Sequence, residues 1–173
     1  MKKLNFLFIA LALVLTACSG DDDSSPTTTS GDLLGTWIGQ DVDYTGSSST
    51  TVQGQSFDAT FVGEAYDVDY TLTFTENPNE VISDGSYSIE LTTTSLGQTQ
   101  VDNVENLEFL SNGTWSRTGN ELTVVNDGET SVATILELTE TSLKLGIVQS
   151  DVIAQEGVSV TSNINVITTY TRM

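Results

Sequence analysis

Carboxylates are the side chains with which this 173-residue chain could do chemistry, since it has 24 Asp and Glu residues, one cysteine and no histidine. These counts exclude an internal disulfide, a Ser-His-Asp triad, a Cys-His dyad and a zinc site built from imidazole or thiolate ligands. Two kinds of carboxylate site are still possible: paired acids of the kind that glycosidases use, and oxygen ligands for calcium. Because acids are so frequent in this chain, two acids close together in the sequence are weak evidence for either site. We therefore expect a protein that is not an enzyme and needs no cofactor.

The clearest carboxylate pattern is the repeat Asp-Val-Asp-Tyr, at residues 41–44 and again at 67–70. In a strand, the two Asp side chains of each copy point to one face about 7 Å apart. Calcium could bridge such a pair, but calcium sites take six or more oxygens, usually from a loop. We favour solvent-facing acids opposite a buried Val and Tyr, and we predict no metal site.

Cys18 is the one residue to which we assign a chemical role. It follows two lysines and an apolar run over residues 4–15, which is the layout of a secretory signal. The run is shorter than the roughly 20 apolar residues of a membrane span. Leu15-Thr16-Ala17-Cys18 resembles the cleavage box of bacterial lipoproteins, which implies cleavage before Cys18 and acylation of its sulfur and new amino terminus. We expect a lipoprotein signal peptide over 1–17; an ordinary secretory signal beside an unrelated cysteine is the alternative.

Residues 18–31 form the next segment, which after the cysteine consists only of Ser, Gly, Asp, Pro and Thr. Such a composition cannot build a core and predicts a flexible tether. Ser19-Gly20-Asp21-Asp22-Asp23 resembles the acidic export signal of Bacteroidota-type lipoproteins that reach the outside of the outer membrane. That resemblance implies a protein held on the outer membrane by lipid and facing the medium. A plain charged spacer is the alternative.

Charge limits the partners of the mature chain. Removal of Lys2 and Lys3 leaves 3 basic against 24 acidic residues, a formal charge of −21. Nucleic-acid binding needs clustered Lys and Arg, whereas the remaining basic residues are only Arg117, Lys144 and Arg172. We exclude nucleic acid as a partner and expect the membrane, through the anchor, and a small apolar ligand. The sequence identifies no protein partner.

Residues 32–173 fit one domain by length, and alternation of apolar and polar residues dominates it. From Tyr66 to Phe74 every second residue is apolar, which predicts a long strand with one apolar face. Phe57, Ala59 and Phe61 stand instead at odd positions. We therefore expect a bulge or turn around Gly63-Glu64-Ala65, where the phase of the alternation flips.

Turn-forming residues divide the domain into strands joined by short loops, as at Asn77-Pro78-Asn79, Ser83-Asp84-Gly85 and Asn126-Asp127-Gly128. This spacing is typical of an antiparallel meander. With residues 57–76 taken as one bulged strand, it predicts about eight strands, the number that closes a barrel around side chains or one small ligand. We predict an all-β fold, a single antiparallel up-and-down β-barrel. A β-sandwich is the competing architecture.

Two tryptophan segments carry a family resemblance. Gly35-Thr36-Trp37 is similar to the Gly-x-Trp signature that opens lipocalins, and Gly113-Thr114-Trp115 begins a longer match that continues to Leu143-Lys144-Leu145. Together they look like the lipocalin-like domain of many Bacteroidota-type lipoproteins, which implies the barrel. Residues 46–55 and 96–106 have no counterpart, so we expect them to be loops at a barrel end.

The resemblance also implies how the barrel is closed. In classical lipocalins an Arg from near the chain terminus covers the first-strand Trp, and Trp37 and Arg172 are the positions that could match. Their role would be structural, through stacking of the guanidinium on the indole. This chain lacks the terminal helix and the disulfides of the classical pattern. A frayed end is the alternative for Arg172.

Two functions fit these features. An envelope lipoprotein could hold a small apolar or amphipathic ligand in the barrel lumen, lined by the inward residues Tyr66, Tyr70, Phe74, Tyr87 and Trp115. Alternatively, the lumen is filled and the barrel acts as an envelope accessory or protein-interaction subunit. An internal cavity of roughly a few hundred Å³ would favour ligand binding, and a lumen packed with aromatic side chains would favour the second role.

Overall fold

The computed structural model describes residues 28–155 and 157–173, and every regular element in them is a β-strand. In chain order the strands are β1 Thr28–Thr29, β2 Gly35–Val52, β3 Gln55–Thr75, β4 Glu80–Ser95, β5 Gln98–Leu107, β6 Gly113–Thr118, β7 Glu121–Asn126, β8 Glu129–Leu138, β9 Ser142–Gln155 and β10 Val158–Arg172. The predicted signal peptide, Cys18 and most of the predicted tether lie outside the described residues. Within those ranges, no helix is long and apolar enough to cross a membrane.

Eight of these strands form a closed antiparallel ring, in the order β2, β3, β4, β6, β7, β8, β9 and β10, with β10 pairing back onto β2. Two strands stand off the ring, since β5 pairs with β4 and β1 lies parallel to β8. Neighbouring strands of the ring also follow each other along the chain, except that β5 lies between β4 and β6 in sequence and that β10 closes the ring on β2. The predicted all-β fold and eight-stranded up-and-down barrel are therefore confirmed.

Six strands continue beyond the closed barrel. The outer parts of β5, β4, β3, β2, β10 and β9, in that spatial order, form one sheet over residues 45–62, 90–103, 147–155 and 157–164, which we call the sheet extension. The prediction of loops at 46–55 and 96–106 is wrong, because these residues are paired strand ends with turns only at their tips. Polar and small residues dominate both segments, so no apolar periodicity marks them as strands.

The bulge in β3 lies further along the chain than predicted. The β3–β4 register shifts between Tyr66 and Asp69, not at residues 63–65, and Asp67 there has a φ of 50°. The turn predicted at residues 83–85 is also wrong, because β4 runs through it. Gly85, whose φ is 84°, lies opposite the bulge, where a Cβ would collide with the carbonyl oxygen of Asp69. The local Gly signal thus marks a close approach of two strands rather than a chain reversal.

The core fills the closed barrel with buried side chains from seven strands of the ring, and β6 adds the half-buried Trp115. Its largest fully buried members are aromatic: Trp37, Tyr70, Tyr87, Tyr170 and Phe74. Aliphatic residues from β7, β8 and β9 complete it, among them Leu122, Ile135, Leu138, Leu143 and Leu145. Phe109 and Leu110, which belong to no strand, are also buried in this core. The segment between β5 and β6 therefore packs into the barrel.

Candidate functional site

Tyr70 is fully buried in the barrel interior, between Tyr87 and Tyr170. Its hydroxyl accepts a hydrogen bond from the backbone N–H of Leu110 at 2.9 Å and donates one to the carbonyl of the same residue at 3.1 Å. Its ring stands edge-on to Tyr87 and tilted to Tyr170, with both pairs of ring centroids 6.2 Å apart. These separations are those of packed aromatic pairs. The interior therefore has a connected aromatic framework, tied to the β5–β6 segment through Leu110.

The interior tyrosines are held in the neutral form. Burial raises the pKa of Tyr70, of Tyr87 and of Tyr170, because a phenolate would lose its hydration there. For Tyr87 the hydrogen bond of 2.8 Å between its hydroxyl and that of Tyr44 acts in the same direction. The barrel interior thus offers uncharged hydroxyl groups and no ionised side chain among its buried members.

The five predicted lumen residues divide into three groups. Tyr70, Phe74 and Tyr87 are fully buried in the core. Trp115 is half-buried beside Phe74, edge-on at 5.8 Å between ring centroids, and donates its indole N–H to the carbonyl of Thr75 at 2.9 Å. Tyr66 pairs with Ser88 on the face opposite Ala65 and Ile89, because the bulge follows it. The expectation that all five side chains share one inward face therefore fails for Tyr66.

The lumen is filled rather than hollow at the level of these tyrosines, since Tyr70 and Tyr170 are 0% exposed and Tyr87 is 1% exposed. Elsewhere in the described part, the best-formed clefts are open, and none is lined by an interior tyrosine. One of about 410 Å³ lies between the starts of β4 and β6, and another of about 450 Å³ lies at the β9–β10 tip. A ligand enclosed among the predicted lumen residues would have to displace packed side chains.

Arg172 covers one end of the barrel. The guanidinium carbon lies 4.1 Å from the centroid of the Trp37 ring. The guanidinium donates to the carbonyls of Glu140 at 2.7 Å, Leu34 at 2.5 Å and Asp32. The indole N–H of Trp37 donates in turn to the carbonyl of Leu33 at 2.8 Å. The contact joins β10, the last strand, to the segment between β1 and β2, so both ends of the domain are tied together here.

A row of half-buried apolar side chains, which we call the apolar collar, lies where the sheet extension leaves the core. One member comes from each of the six extended strands: Tyr44, Ala65, Leu91, Val104, Ile147 and Ile164. The pairing puts them on the same face as buried residues, since Val166 pairs with both Tyr44 and Ile147 and Ile89 pairs with both Ala65 and Val104. The collar thus borders the packed lumen and opens outward onto the extension.

The face of the sheet extension that continues from the collar, which we call the open face, carries further apolar side chains. The ring of Phe61 lies over Gly46, where a Cβ would collide with it. Further out, Phe57, Val160 and Ile153 lie in one row across neighbouring strands. Phe57 is 44% exposed and Ile153 is 67% exposed. Sequence reasoning missed this surface because its apolar residues are sparse within each strand and come together only through pairing.

The two Asp-Val-Asp-Tyr repeats have different conformations. At 41–44 both acids are exposed, Val42 is buried and Tyr44 is half-buried, as alternation predicts. At 67–70 both acids are again exposed, Val68 is half-buried and Tyr70 is buried, although the bulge gives Asp67 a φ of 50°. In residues 28–155 and 157–173, no three acidic side chains converge in a way that could hold a metal ion.

Comparison with known proteins identifies the family. The lipocalin-like domain family matches residues 33–145, which run from just before β2 into the start of β9. The chain therefore belongs to the lipocalin-like domain family. No match was found among curated proteins or among solved structures. The matched region contains Trp37, all five predicted lumen residues and most of the core, whereas Arg172 and the outer part of β9 lie beyond it.

Proposed function

We propose that this lipocalin-like chain is a lipid-anchored outer-membrane protein that binds a small uncharged amphipathic ligand on its open face, above the packed barrel. The observation that carries the binding role is the apolar collar, in which six strands each contribute a half-buried apolar residue at the mouth of a filled lumen. Ligand sites are largely apolar with a few polar groups that set orientation. The hydroxyl of Tyr44, held by its hydrogen bond to the buried Tyr87 hydroxyl, supplies such a polar group at the collar.

The charge of the sheet extension defines the class of ligand. The extension contains no Lys or Arg, because the mature chain has only Arg117, Lys144 and Arg172, and all three lie outside residues 45–62, 90–103, 147–155 and 157–164. Asp102 and Asp151 lie on its two outermost strands, β5 and β9. A carboxylate or phosphate head group would find no cationic partner there and would be repelled by the acids. We therefore propose a ligand with an apolar body and uncharged hydroxyl or amide groups.

Titration with the neutral fluorescent probe Nile red tests the open face. Phe61→Thr should raise the probe's Kd about fivefold, since loss of an aromatic contact costs about 1 kcal/mol. Val62→Thr is the matched control, because Val62 neighbours Phe61 on the same strand, is 52% exposed and points to the opposite face. Circular dichroism verifies that both variants fold. Equal affinities of the two variants, or no binding to the wild-type chain, would contradict the proposed site.

Anchoring rests on the resemblance of Leu15-Thr16-Ala17-Cys18 to a lipoprotein cleavage box, with the acidic run after it as the proposed surface-export signal. Several acyl chains hold a protein on a membrane where a single chain binds only marginally. Cys18→Ser should move the protein from the membrane fraction to the soluble fraction. Protease treatment of whole cells tests orientation, since an inward-facing protein would survive it.

A filled lumen also favours the second candidate function, that of an accessory or interaction subunit without a small ligand. In that case the barrel is a rigid support, and the open face binds protein. Native mass spectrometry of the chain gently extracted from its own cells separates the two functions. A reproducible bound mass of a few hundred daltons supports the ligand-binding role, and a bound polypeptide supports the interaction role.

A further inference from the structure

The outer part of β9 is an unprotected sheet edge. β9 pairs with β10 along its whole length, but it pairs with β8 only as far as Gly146, whose partner is Thr134. From residue 147 to 155, one side of its backbone meets no other strand in the described part of the chain. Natural edges are usually blunted by Lys, Pro or a bulge. Residues 147–155 contain no Lys or Pro, and their register with β10 is uninterrupted.

This edge is also apolar and weakly charged. Val148 is 77% exposed, Val152 is 68% exposed and Ile153 is 67% exposed. Asp151 is the one ionisable residue between 147 and 155, in a chain with 24 acids. An exposed, regular and apolar edge strand is a template for pairing with another strand. Few charges oppose the approach of a second strand at this place.

Residues 147–153 read almost the same in both directions. The run is Ile-Val-Gln-Ser-Asp-Val-Ile, with Ser150 at its centre. If this strand pairs antiparallel with a second copy about Ser150, residues at equal distances from the centre lie opposite each other. Ile147 then faces Ile153 of the second copy, Val148 faces Val152, and Gln149 faces Asp151. Two-fold symmetric interfaces require this self-complementarity of one surface.

We propose that two copies of this chain associate through β9, antiparallel and in the register centred on Ser150, to form one continuous sheet. Aliphatic pairs then lie on both faces of the junction, since Ile147 points to the collar side and Val148 to the opposite side. Gln149 already donates to Asp151 of its own strand at 2.6 Å. In the dimer each Asp151 lies opposite a Gln149 amide, and the two carboxylates are not directly opposed.

The other free edge of the extension, β5, fits this role less well. It carries Asp102, and just inward of the extension β5 also carries Glu105, a register shift against β4 between Tyr87 and Ile89, and Asn106 with a φ of 59°. Charges and irregularities of this kind protect edges. Pairing of β9 with β5 would also leave free edges at both ends and extend without limit, whereas β9–β9 pairing closes at two copies.

Oxidative crosslinking of cysteine variants of the full-length chain in mild detergent tests both the contact and its register. Ser150→Cys alone should form a disulfide-linked dimer, because the two Ser150 residues face each other at cross-strand distance. Val148→Cys and Val152→Cys should each remain uncrosslinked alone. An equal mixture of the two should crosslink about half of the chains, since random pairing joins unlike copies half the time. The wild-type chain reports any background from Cys18.

Variants on the two free edges serve as controls. Gln100→Cys, on the free edge of β5, should not crosslink to itself. In sedimentation, Val152→Lys on β9 should reduce the mass to that of one copy, whereas Val101→Lys on β5 should not. The proposal is overturned if the wild-type chain sediments as a monomer at the concentrations of the crosslinking experiment. It is equally overturned if Val152→Cys crosslinks to itself as well as Ser150→Cys does, or if Gln100→Cys is the variant that crosslinks.

Discussion

At the scale of residues, the interior tyrosine hydroxyls differ in what they bond to. The Tyr70 hydroxyl has two hydrogen bonds to the backbone of Leu110. The Tyr170 hydroxyl is equally buried, yet it has no hydrogen-bond partner among the protein atoms of the described residues. Removal of a bonded hydroxyl leaves buried backbone groups unsatisfied, whereas removal of an unbonded one relieves a desolvation cost.

We therefore expect Tyr70→Phe to lower the free energy of unfolding by about 1–3 kcal/mol, because the N–H and carbonyl of Leu110 lose their partner. Tyr170→Phe is the matched change and should leave the free energy of unfolding unchanged or raise it. Urea unfolding followed by circular dichroism measures both variants. Equal losses of stability would show that the two hydroxyls contribute alike and would contradict this distinction.

The sequence predicts a residue's environment well when the evidence lies in its own strand, and poorly when the partner is far away in the chain. The burial of Tyr70 and Phe74 was predictable from alternation along one strand. The partner of Tyr70 was not, because Leu110 lies in a segment without periodicity, 40 residues away. The stacking of Arg172 on Trp37 came from the family resemblance, since nothing in either residue's own neighbourhood indicates it.

At the scale of elements, the bulge in β3 depends on one glycine of the neighbouring strand. Gly85 combines a φ of 84° with a close approach to Asp69, whereas Gly97, with a φ of 75°, has no neighbouring atom near its Cβ position. An Ala at either position would have a strained backbone. Only at position 85 would it also push two strands apart.

We expect Gly85→Ala to lower the free energy of unfolding by clearly more than about 1 kcal/mol, the usual order of the backbone effect. Gly97→Ala is the control and should show the backbone effect alone. Thermal unfolding of the two variants gives the difference, which measures the close approach. A loss at Gly85 no larger than that at Gly97 would mean that the bulge accommodates a Cβ.

Elements were predictable where their apolar residues alternate and were mispredicted where they do not. β3 was expected as one long bulged strand and is one, although its bulge lies at 66–69. The outer parts of β2 and β5 were expected to be loops, because polar and small residues dominate them. Pairing along neighbouring strands stabilises such segments, and a single strand's sequence does not reveal its neighbours.

At the scale of the whole molecule, three buried tyrosines make stability depend on pH at the alkaline end. Burial raises the pKa of Tyr70, Tyr87 and Tyr170 in the folded chain, whereas in the unfolded chain phenols ionise near their ordinary value of about 10. The stabilisation is thus complete below about pH 10 and is lost as the pH rises further, because ionisation favours the unfolded chain.

We expect the melting temperature to fall steeply above about pH 10, and the near-ultraviolet phenolate signal of these three of the five tyrosines to appear only with unfolding. Thermal unfolding between about pH 8 and pH 11 measures the first effect, and a spectrophotometric titration measures the second. Tyr170→Phe should make the fall shallower. Reversible ionisation of all five tyrosines in the folded chain would contradict the packed interior.

The sequence by itself determined the class of fold, the lack of any histidine-based site in these 173 residues, and the strongly anionic charge. Composition and the alternation of apolar and polar residues are local properties, so they do not depend on where distant parts of the chain are placed. The tertiary structure alone decided that the lumen is filled, that six strands continue into an open face, and that β9 loses its neighbour beyond Gly146. The packing of the lumen, the composition of each sheet face and the position of a free edge all depend on which strands pair and in which register. Those contacts join residues that are far apart in the chain.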